Sequence, residues 1–513
     1  MKNGSVFVYG ATIHASPISH RIYAPSSHAL PSIEACEKHT EFQLDSVRSG
    51  IDDLPYIGTR ELWRPPGVER SDLTFFVLGH SFDYDTKVAK RFKELSLDSW
   101  MPSLASSYQL SISTTPGQRL LLCGRRSSGL STLFRCLVNR TLESCSPGQR
   151  NAQSPNVIVL DLDTSMPEFS PAGTISLTHL QTPIFGPSLS HMLPIHGSLS
   201  RILKMHFLGE VETSDICDSQ IECIFDLLNV EKRVRQELGN AVTVILAPKW
   251  LNDIDMATSG KLWAKLSPTR IVCLDHSSAS AQLRPWRALA EAAECPIQHL
   301  PAQTSDRISL VREHELQMQS YFHFTPTGSD RIFWDGRPIL AGPRSEMSLS
   351  YQGRHAEVVG IVLVSGYVAL EDTYDALEGS IVGIVAVKAG SIGQSDGEAR
   401  DAQNADSRRH EREDGTRYIL PGVARTEEDL PRLMTGDEGF GLPALNSECL
   451  GLGLITRIDI ARRQIRLKAG GPLHEIQERM QGHDVVLVLP KATSDGRYRT
   501  EWARREIQKM GTE

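Results

Sequence analysis

GQRLLLCGRRSSGLSTLFRCLVNR, residues 117–140, decides the fold. Leu120–Cys123 is a short apolar run of the kind that a fully buried strand presents. A glycine-rich turn follows, from Gly124 to Gly129, and Ser131, Thr132, Leu133, Phe134, Cys136, Leu137 and Val138 then open an amphipathic helix. Strand, glycine loop and helix in that order make a phosphate-binding P-loop. The glycines let backbone N–H groups converge on a polyphosphate, and the helix N-terminus adds positive potential. The expected pattern is G-x-x-x-x-G-K-[ST]. Gly124, Gly129 and Ser131 hold its spacing, but position 130 is Leu130 and not lysine. Gly124, Arg125, Arg126, Ser127, Ser128, Gly129, Leu130, Ser131 and Thr132 are therefore the candidate nucleotide cradle, with its cationic group missing.

The rest of the chain sets the frame for that loop. At 513 residues it has room for about three domains of 100–200 residues each. Apolar residues make up 40% of it and charged residues 23%, enough to bury cores. The net charge of −8 means that any nucleic acid must be met by local basic patches. The nine cysteines form no CxxC pair and have no histidines at zinc-ligand spacing, so buried, reduced thiols are expected. MKNGSVFVYGATIHA at the start has no sustained apolar region and reads as a first strand, not a signal peptide. The longest apolar run, Val358–Leu370, is broken by Gly360, Ser365 and Gly366 and is too short for a membrane span. These features predict a soluble, intracellular protein without a membrane partner.

Three blocks emerge along the chain: residues 1–105, 106–325 and 326–513. The first is β-rich, with VFVYG and LTFFVLG as β-prone runs and an extended stretch around Pro25 and Pro31. It also carries RELWRPPGVER, where Arg60, Arg64 and Arg70 surround Trp63; such a cluster suits either phosphates and bases or a solvated loop with one anchoring ring. The middle block alternates strands at Leu120–Cys123, Val157–Leu160, Val242–Leu246 and Ile271–Leu274 with helices after Ser131, at Ser219–Leu228 and at Trp286–Ala293. That alternation predicts an α/β domain with a mostly parallel sheet. Its second strand ends in LDLDTSMPEF, placing Asp161 and Asp163 where such folds hold magnesium or activate a nucleophile. The last block is β-rich, with Val358–Val364, Ile381–Val387 and Ile455–Ile460 as strands. Its charge-dense insert, 395–417, is expected to be disordered, and YRTEWARREIQKM near the end to be a basic helix.

Several motifs together resemble one family, the polynucleotide 5′-hydroxyl kinases, in the branch that acts in ribosomal RNA processing. The resemblance is carried by HRIYAPSSHALP (20–31), GRRSSGLST (124–132), VIVLDLDTSMPEFSPAGTISL (157–177), PIFGPSLSH (183–191), MHFLGEVE (205–212), APKW (247–250), LQMQSYFH (316–323) and ECLGLGLITRID (448–459). It implies a central P-loop NTPase domain of α/β class, flanked by N- and C-terminal β-rich domains. It implies transfer of the γ-phosphoryl group of ATP, with Mg2+, to the 5′-hydroxyl end of RNA. It further implies a nuclear, often nucleolar, protein that partners an endonuclease cutting a pre-rRNA spacer. Asp161 and Asp163 would share the base and metal-orienting roles, with magnesium on Ser131 and Asp161, and Arg312 or His314 would lie where a lid could cover the phosphates.

The chain departs from the family where ATP or the hydroxyl would be touched. The P-loop lysine is Leu130. Ser165 and Met166 stand for the Gly-Gln of the second-strand motif, and Ala247-Pro248-Lys249-Trp250 stands for TPGW. Losing one charge-assisted donor from a closed phosphoryl-transfer site costs about 3–4 kcal/mol, or roughly 100- to 1000-fold in rate. Arg125, Arg126 and Lys249 are the candidate replacements. Two expectations compete: a kinase impaired at Leu130, or a pseudokinase that serves as scaffold or regulatory subunit for the endonuclease.

Overall fold

The computed structural model describes residues 1–54, 62–63, 73–77, 95–101, 117–125, 127–143, 156–193, 199–211, 216–239, 241–252, 254–275, 284–303, 310–327, 331–341, 346–353, 356–364, 368–389, 391, 423–433 and 442–491. The chain divides into two compact units. One comprises 1–170, 176–203 and 227–336; the other comprises 171–175, 204–226 and 337–513.

The first unit begins with a three-stranded antiparallel sheet, β1 (Ser5–Val8) between β2 (Ala11–His14) and β3 (Glu34–Ala35). The chain continues through β4 (Arg119–Gly124), helix α1 (Leu130–Glu143), β5 (Asn156–Asp161), β6 (Thr174–Leu180) and β7 (Arg201–Phe207), with the first residues of β6 and the last of β7 counted to the second unit. Helix α2 (Asp218–Leu238), β8 (Ala241–Leu246), α3 (Met256–Leu266), β9 (Arg270–Asp275), α4 (Arg284–Ala292) and β10 (Ile297–Pro301) follow. Seven strands form one sheet in the order β10-β9-β4-β8-β5-β6-β7. β10, β9, β4, β8 and β5 are parallel, and β6 pairs antiparallel with β5. The expected mostly parallel α/β sheet is therefore present.

The central strands are apolar end to end because helices cover both faces of a parallel sheet and leave no side for water. Leu121, Leu122, Ile158, Leu160, Ile245 and Leu274 are essentially unexposed. Helix α1 buries Leu133, Phe134, Cys136, Leu137 and Val138 in the same core as Leu122 and Val159. The core also takes Val8 and Tyr9 from the first hairpin. Gly10 lies so close to α1 that a Cβ would meet the Cys136 carbonyl oxygen at 2.5 Å. Asn139 fixes that contact: its amide donates to the carbonyls of Tyr9 (2.9 Å) and Ile184 (2.7 Å) and accepts from the Ile184 N–H (2.6 Å). One buried side chain thus ties α1 to the first hairpin and to the 183–191 loop. Helix α5 (Leu310–His323) and the hairpin of β11 (Phe324–Thr327) and β12 (Arg331–Trp334) complete the unit.

The second unit holds an eight-stranded sheet. Its elements are β13 (Glu346–Ser350), β14 (Val358–Leu363), α6 (Thr373–Leu377), β15 (Ile381–Lys388), β16 (Val423–Arg425), β17 (Pro431–Leu433), β18 (Ser447–Asp459), β19 (Gln464–Ala469), α7 (Leu473–Met480) and β20 (His483–Leu489). The strand order is β13-β19-β18-β15-β20-β14-β17-β16. Ile384, Ile455, Ile465, Leu467 and Leu487 pack one face of it. The expected β-rich character of the C-terminal part is present.

Some expectations need correction or fall outside the described residues. Among residues 73–77, the described part of LTFFVLG, there is no strand. β18 runs 13 residues, far beyond the expected Ile455–Ile460. The insert 395–417, the C-terminal basic stretch and Arg60, Arg64 and Arg70 lie outside the described residues. No described helix is long and apolar enough to cross a membrane.

Candidate functional site

The parallel register sets the site. Leu122 on β4 and Asp161 on β5 both stand level with Leu246 on β8. β8 lies between them, so the P-loop strand and the Asp161 strand are about 10 Å apart, two strand spacings. The carboxyl ends of β4, β8 and β5 open on the same edge, which is where open α/β sheets bind ligands.

β4 ends at Gly124, and the chain turns sharply. The Ser128 N–H donates to the Arg125 carbonyl (3.1 Å), Ser127 has φ 58° and Gly129 has φ 91°. A Cβ on Gly129 would also meet the Trp100 ring at 3.0 Å, so glycine is required there both by conformation and by space. Trp100 is fully buried, and its indole N–H donates to the Pro301 carbonyl (3.0 Å). The Gln303 N–H donates to the Ser128 carbonyl (2.8 Å). The loop is thus braced from behind by the end of β10. Helix α1 starts at once, with the Leu133 N–H donating to the Gly129 carbonyl (2.9 Å).

Side chains around the loop divide into two groups. Arg125, Ser127 and Ser131 are exposed, and Thr132 is half-buried. Leu130 is half-buried and packs against the core cluster that contains Trp100 and Leu133. An apolar residue at the lysine position has turned toward the core. Arg126 lies outside the described residues. Ser128 is 2% exposed, and its Oγ has no hydrogen-bond partner among the described residues. A Cβ on Gly124 would come within 2.7 Å of that oxygen. An orphaned hydroxyl under a glycine turn at a helix start suits an oxygen-rich ligand, so the loop fits the phosphates of a nucleotide.

The turn after β5 is built on its own carboxylates. Asp161 is 1% exposed; its Oδ1 accepts the Asp163 N–H (3.1 Å) and its Oδ2 the Glu168 N–H (2.7 Å). Burial pushes Asp161 well above the usual carboxylate range, the charges of Asp163 and Glu168 push the same way, and the two N–H donors offset only part of this. Asp163 is less buried, and its Oδ1 accepts both the N–H (3.0 Å) and the hydroxyl (2.6 Å) of Ser165. Ser165 is thus a side-chain cap on Asp163.

Behind this turn lies a buried ion network that the sequence reading missed. Arg135, one turn into α1, forks onto Glu168 through Nε (2.5 Å) and Nη2 (3.1 Å), and His191 Nε2 reaches the same carboxylate at 2.9 Å. Burial alone would raise the Glu168 pKa, but the Arg135 charge and the His191 contact hold it at about 2. Burial also keeps His191 below the ordinary histidine range. Phe169 packs edge-on to Phe134 (6.1 Å) and tilted on His191 (5.5 Å), and the Gln317 amide donates to the Pro167 carbonyl (2.5 Å). The sequence does carry one signal: a charged residue between Phe134 and Cys136, on the apolar stripe of a helix, needs a buried partner.

The remaining predicted residues are more scattered. Ala247 at the end of β8 is held by its N–H on the Leu122 carbonyl (2.9 Å), and a short 3-10 turn, Lys249–Asn252, follows with Trp250 buried. The position of Lys249 is set by that turn, but its side chain lies outside the described residues. On α5, His314 is 2% exposed and Arg312 half-buried. His314 is part of the packed unit. Among the described residues no group of three or more His, Cys, Asp or Glu could hold a metal ion.

Comparison with known proteins gives a consistent picture. The family model for the mRNA cleavage and polyadenylation factor CLP1 P-loop matches residues 124–324. Curated relatives named polynucleotide 5′-hydroxyl-kinase Grc3 align with nearly the whole chain. Those of Aspergillus oryzae and Aspergillus niger are 29% and 28% identical over 95% of this chain, and that of Gibberella zeae is 24% identical over 99%. The chain spans 63% of the length of the two Aspergillus relatives. A solved structure of a Clp1p–Pcf11p complex aligns with 76% of this chain and 78% of its own, at 16% identity and a TM-score of 0.45. Along nearly its whole length the chain is similar to the curated proteins named polynucleotide 5′-hydroxyl-kinase Grc3, and within it residues 124–324 match the CLP1 P-loop family model.

Proposed function

We propose that this chain is a polynucleotide 5′-hydroxyl kinase-like protein of pre-rRNA processing, working in the nucleolus with an endonuclease, whose phosphoryl transfer from ATP to RNA 5′-hydroxyl ends is impaired by Leu130. The observation that carries the reading is the P-loop itself: a braced glycine cradle with an orphaned Ser128 hydroxyl, in which the lysine position is filled by a leucine packed on the core. Relatives named for the kinase activity support the choice of substrate.

Roles follow from exposure. The backbone of Gly124–Thr132 would hold the phosphates, and Ser131, exposed at the start of α1, would face the magnesium ion. When bound, ATP and its metal supply the transferable phosphoryl group and neutralise its charge. Asp163, the more open carboxylate, would accept the proton of the RNA 5′-hydroxyl. Asp161 is spent on two backbone N–H groups and orients the turn that carries Asp163. Arg125 is the exposed cation among the described residues of the loop and would offset part of the missing lysine.

A second reading, a pseudokinase scaffold for the endonuclease, is favoured by the Ser165 cap. It occupies Asp163 Oδ1, an oxygen that the base role would use. Labelled ATP and a 5′-hydroxyl RNA oligonucleotide separate the two. Slow label transfer to that RNA, and none to a 5′-phosphorylated control, supports the impaired kinase. ATP binding without any transfer supports the scaffold, and absence of ATP binding overturns the impaired kinase.

A further inference from the structure

The C-terminal unit carries a basic surface on one hairpin. The β18–β19 hairpin, RIDIARRQIRLK (457–468), holds five basic residues against one acid in a chain of net charge −8. Its register is irregular. Leu454 pairs with Lys468 and Ile455 with Leu467, so Thr456 should face Arg466; instead a bulge after Ile455 puts Arg457 opposite Arg466. The extra residue, Thr456, is held with its hydroxyl on the Arg466 carbonyl (3.2 Å). On the other side of Arg466 stands Ser348 of β13.

Side chains opposite one another in an antiparallel pair share a face, so Ser348, Arg466 and Arg457 form a row across three strands. Arg457 and Ser348 are exposed and Arg466 is half-buried. Neither guanidinium forms an ion pair among the described residues. Like charges directly opposite destabilise a sheet. A bulge that replaces a threonine by a second arginine creates this repulsion, and an anion between the two guanidiniums would remove it. Arg462, exposed on the connecting turn, extends the basic surface; its one ion pair among the described residues is with Asp459 at 3.9 Å.

We infer that Arg457 and Arg466, with Ser348 beside them, bind the phosphate backbone of single-stranded RNA. This rests on the RNA reading above and adds a contact surface separate from the P-loop. Phosphate fits the row because each guanidinium offers a donor fork and the hydroxyl a further donor.

The test is fluorescence anisotropy of the full chain with a labelled 5′-hydroxyl RNA oligonucleotide across a salt series. The doubly substituted Arg457→Gln/Arg466→Gln chain is compared with the parent, and thermal unfolding and ATP affinity serve as controls. The expected result is at least tenfold weaker RNA binding and a log–log salt slope shallower by about 1.4, two single-strand contacts at about 0.7 each, with both controls unchanged. RNA binding with unchanged affinity and slope overturns the inference alone. If the substitution spares RNA but removes binding of polyglutamate, the surface is for an acidic protein and the inference is overturned in that favour. A parent chain that binds no RNA overturns the RNA reading and this inference with it.

Discussion

Leu130 and Glu168 show how one residue can be read in the sequence and another not. Leu130 is visible as a broken motif, because the P-loop spacing names the residue that should stand there. Glu168 looks like any acid in a turn. Its role appears only when Arg135, 33 positions earlier, folds onto it inside the core. Removing one partner of such a buried pair leaves the other charge uncompensated, at about 3–5 kcal/mol. Glu168→Gln is therefore expected to destabilise the protein by about that amount at pH 7 in urea unfolding. The sign of the pH dependence is set by the folded pKa of about 2, below the ordinary glutamate value of 4.5. The stabilisation is fully present above the unfolded value and is lost as pH falls toward 2. The gap between parent and variant should close over that window; a gap that stays constant down to pH 2 would contradict the assignment. At the P-loop, Gly129→Val is expected to abolish ATP binding in titration calorimetry, since φ 91° and the Trp100 ring both exclude a side chain.

Elements were legible where one rule governed the whole segment. β4, β5, β8 and β9 are buried on both faces, and their continuous apolar runs gave them away. Helix α2 continues ten residues past Leu228 because Glu231, in its polar half, is buried and takes the Arg119 guanidinium (2.6 Å) and the Thr243 hydroxyl (2.6 Å). The apolar stripe of that half is thin, with Val230, Val234 and Leu238 spaced four apart among charged residues. β18 was concealed by its glycines: Gly453 is buried under Leu467, where a Cβ would approach to 2.8 Å, so glycine here signals close packing and not a turn. The attachment of the first hairpin to α1 was also hidden, since it depends on Asn139. Asn139→Ala strands two carbonyls and one N–H in the core and should cost about 3 kcal/mol or more in denaturant unfolding. A loss under about 1 kcal/mol would mean that water replaces the amide.

At the scale of the molecule, the α/β class and the β-rich C-terminal part follow from which stretches alternate and which do not. The sheet order does not follow, because periodicity says nothing of neighbours. Yet the order places β8 between the P-loop strand and the Asp161 strand and so creates the candidate site. Among the described residues the scaffold of that site consists of the glycine turn, its Trp100 brace and the network under Asp161. On the reading proposed above, what it lacks is the cation of the P-loop lysine position, filled here by Leu130. The most direct test is the rate of phosphate transfer from ATP to a 5′-hydroxyl RNA by the parent and by its Leu130→Lys variant. A lysine able to reach the phosphates should raise the rate roughly 100- to 1000-fold. An equal rate in the two, at any level, would contradict the claim that the cradle lacks only its charge.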